Sequence, residues 1–262
     1  KILTIVISVS GSKGDATAIA KEAKKNGSFI FAITNVPSSP LEKLSDISYI
    51  VPSGKTKSFI NTTEYVAQLF ALALLIKNFS KTSLDFNSEI YKIPSKIRAS
   101  FNSESKIKKL ALQEKKRKIF IFSGKGPSKI VADQTALKLR ETAWKIKHSE
   151  SILIDEIPHG RLFSLGDKRT LFVFMFSGKT AMKKVLARSE LIENTGALIS
   201  GFCSKDYNFK NQFTLPSTNE YLFSILAQPL SYIFVAYMNA VKNLNIDEPR
   251  NVRMISKFLK KK

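Results

Sequence analysis

Three hydroxyl side chains, Ser8, Ser10 and Ser12, and the ammonium of Lys13 stand close together in VISVSGSKGD. They follow an apolar run, Ile2–Ile7, and precede a helical pattern from about Ala16 to Asn26, with Asp15 as its N-cap and Gly27 as its C-cap. A strand that ends in small hydroxyl residues at a helix N-terminus makes an anion site. The first-turn N–H groups have no partner inside the helix, the helix dipole favours negative charge there, and the hydroxyls add donors. The chemistry open to this set is to hold a phosphate monoester. The same small residues also make tight strand-to-helix turns, so the pattern alone leaves both readings open.

Other reactive side chains are few. Cys203 is the only cysteine, which excludes a disulfide and a cysteine-based zinc site and reads as a buried thiol in a strand. With only two histidines and no aspartate-rich cluster, neither a metal site nor a cofactor is expected. His148, in KIKHSES, reads as a surface residue, whereas His159 lies in a loop between Pro158 and Gly160 and is the better candidate for proton transfer. Glu141 has Lys138 and Lys145 at i−3 and i+4, the spacing of a surface ion pair.

Lys+Arg number 42 against 21 Asp+Glu, a formal net charge of +21. Lys106, Lys108, Lys109, Lys115, Lys116, Arg117 and Lys118 fall in one run of thirteen residues; Arg253, Lys257, Lys260, Lys261 and Lys262 close the chain. Singly, such runs are solvated faces or frayed tails. Together they point to a polyanion partner, RNA or a ribonucleoprotein such as the ribosome, touched through phosphates without base reading.

The elements that position these residues follow from the hydrophobic pattern. Strands are expected at Ile2–Ile7, Ser28–Thr34 and Asp46–Val51, a turn at Val36–Pro40, a loop at Pro52–Phe59, and a long apolar helix at Thr62–Asn78. Ser80–Lys118 reads as a connecting helix. From Ile119 the theme repeats: strand, small-residue loop, long helix, then the core strand FVFMF (Phe172–Phe176), and finally a helix over Asn219–Val241. The expected class is α/β, an internal duplication of two parallel-sheet αβα units. The divisions fall at residues 1–95, 96–118 (a basic linker helix), 119–243 and 244–262 (a basic tail). No run of eighteen apolar residues and no cleavable leader is seen, so the expectation is a cytoplasmic protein with no membrane span.

ISVSGSKGDATAIAKEAKKNGSFIFAITNVPSSPLEKLSDISYIV resembles the sugar isomerase (SIS) domain, with its I-S-x-S-G-x-T-x-D-T loop and its I-x-N-x-x-x-S-x-L-x-x-x-S-D continuation. ALKLRE (Ala136–Glu141), PHG (Pro158–Gly160) and DEPRN (Asp247–Asn251) fall in the order seen in the isomerase half of the glutamine–fructose-6-phosphate transaminase family, which carries two SIS domains in tandem. Nothing resembles that family's glutamine-hydrolysing half. The resemblance implies two flavodoxin-like SIS domains, a hexose-6-phosphate-class ligand and a homodimer. It places Ser8, Ser10 and Lys13 on the phosphate loop, Thr62 before the helix that closes over the sugar, and Glu141 as the carboxylate moving a proton between C1 and C2. It makes His159 the histidine that assists ring opening, usually at the neighbouring subunit's site.

Four departures from the family pattern stand out. Lys13 replaces its threonine, and Glu141 and His159 are two residues further apart. Met254 stands where the family's Schiff-base lysine stands, with Lys257 three residues on. The family also has a strand and a Gly-Thr-Ser loop ahead of the position matching Ile2. The expectation is a phosphosugar binder with impaired catalysis, an aldose–ketose isomerase or amino-sugar phosphate deaminase if active; the alternative is a non-catalytic SIS fold whose basic surface binds RNA.

Overall fold

The computed structural model describes residues 2–12, 14–54, 60–79, 81, 83–178 and 182–259, with residues 256–259 as backbone alone. Contacts divide the chain into two compact units, residues 1–80 and 81–262.

The first unit is built on three parallel strands in the order β1-β2-β3: β1 Leu3–Ser8, β2 Phe29–Thr34 and β3 Ile47–Ile50. Ser8 is in register with Thr34, and Thr34 with Ile50, so the carboxyl ends of all three strands open on one edge. Helices α1 (Asp15–Lys25) and α2 (Pro40–Leu44) cover one face through Val6, Ala20, Ile30, Ala32 and Leu41. Helix α3 (Thr63–Phe79) packs on the other through Ala71, against Ile33 and Val51. Leu3, Ile5 and Ile7 of the edge strand β1 remain exposed on that second face.

Two local devices fix the crossovers. Gly27, at φ +80°, closes α1: its N–H donates to the carbonyl of Lys24, and that of Ser28 to Ala23, a double closure that needs a residue tolerant of positive φ. The N-cap of α1 is Gly14 rather than Asp15, which is the first helical residue. Asp46 joins three elements: its carboxylate accepts from the Ile30 N–H (2.7 Å) and from Lys24 Nζ (2.9 Å). The Ile30 bond first, and then Lys24, hold the Asp46 carboxyl below its usual value. A carboxyl whose folded value is depressed contributes stability that is present above the unfolded value, about 3.9 for Asp, and lost as pH falls through the folded one. Acid titration should therefore loosen the first unit of the native protein below about pH 4, with a smaller response in Asp46→Asn; amide exchange along Phe29–Thr34 reads it.

The second unit carries five parallel strands in the order β5-β4-β6-β7-β8. These are β4 Ile119–Gly124, β5 His148–Leu153, β6 Thr170–Phe176, β7 Leu198–Cys203 and β8 Asn211–Thr214. All of β4 and β6 is buried, as a central parallel strand covered on both faces must be. One face (Ile119, Ile121, Phe172, Phe174) meets Val185 and Ile192 of α9 (Met182–Glu193). On the other, Phe234 of α10 (Phe223–Ala240) lies over Phe120, Phe122 and Phe202. Helix α7 (Pro127–Thr142) follows β4, and α11 (Val252–Leu259) comes last. Cys203 is buried in β7, and burial pushes its thiol up.

Several sequence expectations change here. Short α2 and strands β5 and β8 did not stand out in the sequence. Residues 84–113 form α4 (Leu84–Glu89), α5 (Ile93–Ser100) and α6 (Glu104–Gln113), where a single connecting helix was expected. These belong to the second unit, with Ile107, Leu110 and Ala111 of α6 buried, so the boundary falls between residues 80 and 81. The expected turn at Val36–Pro40 runs into α2, and residues 55–59 of the expected loop lie outside the described residues. The stretch Glu220–Ala240 is long and apolar enough to cross a membrane, but it is 67% buried inside the unit and is a core helix.

Candidate functional site

The hydroxyl loop occupies the carboxyl edge of the first sheet, where ligands bind in open α/β folds. Beyond β1 the chain turns at Gly11, whose φ is +54°. A methyl group there would come within 2.3 Å of Ser39 Oγ and 2.8 Å of Thr34 Oγ1, so the loop lies directly on β2 and the start of α2. The Gly11 carbonyl accepts from the Leu41 N–H at 2.9 Å, which fixes this approach.

On that base the three serines are brought together. The Gly11 N–H donates to Ser8 Oγ (3.2 Å), the Ser12 N–H donates to Ser10 Oγ (3.3 Å), and the Ser10 and Ser12 hydroxyls are 2.8 Å apart. Thr17, in the first turns of α1, donates its hydroxyl to the Ser12 carbonyl. Ser10 and Ser12 are exposed and Ser8 is half-buried. Two accessible hydroxyls therefore stand before the amino end of α1, the geometry that attracts an anion. The carboxylate of Asp15, in the same first turn, opposes it in part. Lys13 lies outside the described residues.

Behind the loop runs a polar wall that sequence reasoning missed. Asn35 Nδ2 donates to Ser53 Oγ (2.7 Å), and Gln68 Nε2 of α3 donates to Asn35 Oδ1 (2.7 Å). One turn before Gln68, Glu64 is 4% exposed, and its Oε2 has no hydrogen-bond partner among the described residues. Thr62, half-buried, immediately precedes α3 and accepts the Val66 N–H at 3.2 Å. Asn35 is the Asn of I-x-N, and the i, i+4 spacing of Glu64 and Gln68 was the available signal for the rest.

In the second unit, Glu141 ends α7 and pairs with Lys138 at 2.9 Å. Lys145, the other lysine at ion-pair spacing, donates to the Lys242 carbonyl (2.7 Å). His159 is exposed on a single wide turn, residues 157–161, with φ +106° at Gly160. Arg161 anchors this turn to β5 through Glu150 (2.8 Å), whose Oε1 is also 3.3 Å from His148 Nε2. His148 thus lies beside this ion pair on the edge strand. No hydrogen bond or ion pair joins Glu141 to His159 among the described residues. Met254 is 63% exposed on α11, and the Lys257 side chain lies outside the described residues.

The basic residues of the two runs are mostly exposed where the structure describes them. Lys106, Lys108 and Lys109 are exposed on α6, and Lys115, Lys116 and Lys118 are exposed beyond it. Arg117 pairs with Glu114 (2.6 Å) and Arg253 with Glu248 (2.8 Å). Residues 260–262 lie outside the described residues. No group of three or more His, Cys, Asp or Glu is arranged to hold a metal among the described residues.

Residues 1–78, which contain the serine loop and all three strands of the first sheet, match the SIS domain family. The SIS match covers the first unit and does not extend to the second. Along nearly its whole length, the chain is 29% identical to a glutamine–fructose-6-phosphate aminotransferase [isomerizing] of Caldanaerobacter subterraneus, covering 96% of this chain and 43% of that protein. A protein of the same name from Wigglesworthia glossinidia is 29% identical over 95% of this chain and 42% of its own length. The chain thus spans less than half the length of the curated relatives it matches. In fold it is similar to the C-terminal domain of glucosamine-fructose-6-phosphate aminotransferase from Francisella tularensis (TM-score 0.84, 22% identity, 94% of this chain and 73% of that one). It is also similar to a glucosamine-6-phosphate deaminase from Thermotoga maritima (TM-score 0.76, 22% identity, 95% and 73%).

Proposed function

We propose that this chain binds a hexose 6-phosphate of the amino-sugar class at the Ser8–Ser12 loop, and that it has lost the amine that would attack the open-chain sugar. The observation that carries the reading is the pair of accessible hydroxyls, Ser10 and Ser12, before the amino end of α1. The relatives named for fructose-6-phosphate chemistry cover both units, which supports taking the second unit as a further SIS-type domain. Ser8, Ser10 and Ser12, with Lys13, receive the phosphate, and Thr62 lies before the helix that borders the sugar.

Glu141 is the proton-transfer carboxylate of this reading, and His159 the ring-opening acid–base group. The exposure of His159, and its lack of a bond to Glu141, support its serving a second copy of the chain in a homodimer. Forming an imine requires an amine nucleophile, and the Met254 thioether has none. Binding without turnover is the expected behaviour.

Two experiments test this. Removing one hydroxyl that donates to a phosphate dianion should weaken binding about tenfold, so Ser10→Ala and Ser12→Ala should each do so by calorimetry without lowering the melting temperature. Borohydride reduction in the presence of fructose 6-phosphate should leave the mass of the protein unchanged. A sugar adduct that disappears in Lys257→Met would show that Lys257 supplies the amine after all.

A further inference from the structure

The carboxyl end of α7 carries a group of side chains that the phosphosugar reading does not use. Trp144, the only tryptophan in the chain, is 51% exposed. Lys145 Nζ lies 5.5 Å and Arg250 Cζ 5.3 Å from the centre of its ring. The Lys147 N–H donates to the Lys118 carbonyl (2.9 Å), which brings these two exposed lysines to the same end of the sheet. Exposed Lys115 is joined to them through the buried Lys242, whose Nζ donates to the Lys115 carbonyl at 2.7 Å.

The local field is positive. Burial first, and then Lys118 and Lys145, hold the Lys242 ammonium below its ordinary value. Among the described residues, none of Lys115, Lys118, Lys145, Lys147, Lys242 and Arg250 is paired with a carboxylate. Cations at helix carboxyl ends usually answer free carbonyls and the helix dipole. That explains Lys145 and Lys242, which donate to main-chain carbonyls. Arg250 is accounted for by its place over the indole, but the uncompensated charges of Lys118 and Lys147, and the half-exposed indole itself, are not. Beside them, between α7 and β5, lies a cleft of about 530 Å³ whose walls include Ala143, Ile146, Lys147 and Arg140, with Glu150 as its one carboxylate.

We propose that this end of the second unit binds single-stranded nucleic acid, with Trp144 as the stacking face for a base and Lys118, Lys147 and Arg250 on the phosphates. Every base presents a π face to an aromatic ring, and cations beside it track the backbone without reading sequence. Bases already paired in a duplex offer no free face to Trp144, so single strands are favoured over duplex.

Trp144 is its own reporter, because no other tryptophan contributes to the fluorescence of the chain. Titration of the whole protein with an oligouridylate should quench that fluorescence. With about three phosphate contacts, affinity should fall roughly 20-fold between about 50 and about 200 mM salt. By anisotropy of a labelled strand, Lys118→Glu with Lys147→Glu should weaken binding about tenfold or more and flatten the salt slope. Trp144→Leu should weaken it about tenfold with the slope unchanged. Should the charge reversal alter the circular dichroism, the Lys→Gln pair carries the same expectation with a smaller effect.

Four results would overturn the proposal: no binding at low salt, binding without quenching, equal quenching by a duplex or by anionic vesicles, or a larger loss from reversing Lys106, Lys108 and Lys109 on α6. All of them are independent of phosphosugar binding.

Discussion

Gly11→Ala should both destabilise the first unit and abolish tight phosphosugar binding. An L-residue at φ +54° costs about 1–2 kcal/mol. The new methyl group would also be forced to within 2.3 Å of Ser39 Oγ and 2.8 Å of Thr34 Oγ1, an overpacking that adds about 1–3 kcal/mol. Ser39 cannot yield freely, since its hydroxyl accepts the Glu42 N–H and caps α2. The loop must lift instead, breaking the bond from Leu41 to the Gly11 carbonyl and separating Ser10 and Ser12 from the amino end of α1. Urea unfolding should show a total loss of about 2–5 kcal/mol. A second change, Ser39→Gly, should recover the steric part and leave the backbone part. If Gly11→Ala binds and melts like the native protein, the close seat of the loop on β2 is wrong.

Phe234→Ala should be the most damaging single change in the second unit. Phe234 is fully buried, with ring centres 6.2 Å from Phe120, 6.4 Å from Phe122 and 6.3 Å from Phe202, all tilted or edge-on. Removing it empties the space between α10 and the sheet. Such truncations cost about 3–5 kcal/mol, because the lost contacts are joined by a cavity the neighbours only partly fill. The midpoint of denaturant unfolding should fall with an unchanged slope. Phe163→Ala is the control: that ring is 89% exposed, and its loss should stay within about 0.5 kcal/mol.

The sequence made β1, α1, β2, β3 and α3 legible because their apolar residues repeat with one period and are bounded by clear stops such as Gly27 and the V-P-S-S-P turn. β6 was legible for the opposite reason: FVFMF is apolar throughout, as a strand covered on both faces must be. β5 was not, because it is an edge strand in which Glu150 pairs with Arg161, His148 lies beside that pair, and neither contributes apolar alternation. β8, with only Phe213 buried in Asn211–Thr214, gave still less signal.

The site divides in the same way. Ser8, Ser10 and Ser12 are local in sequence, so their turn could be anticipated from residue type alone. The Asn35–Ser53–Gln68 wall depends on hydrogen bonds between residues 18 and 33 positions apart, which only the folded sheet brings together. Trp144 and Arg250 meet across a still longer interval. Lys138 and Lys145 both stand at ion-pair spacing from Glu141; the first pairs with it, and the second donates to the Lys242 carbonyl, a partner that no helical spacing reveals.

Direct calorimetric titration of the native chain with glucosamine 6-phosphate and fructose 6-phosphate, beside inorganic phosphate, is the most direct test of the central claim. The expected result is saturable binding of one sugar phosphate per chain, tighter than phosphate alone and weakened about tenfold by Ser10→Ala. Heats no larger than dilution at millimolar ligand, or binding that Ser10→Ala leaves untouched, would contradict it.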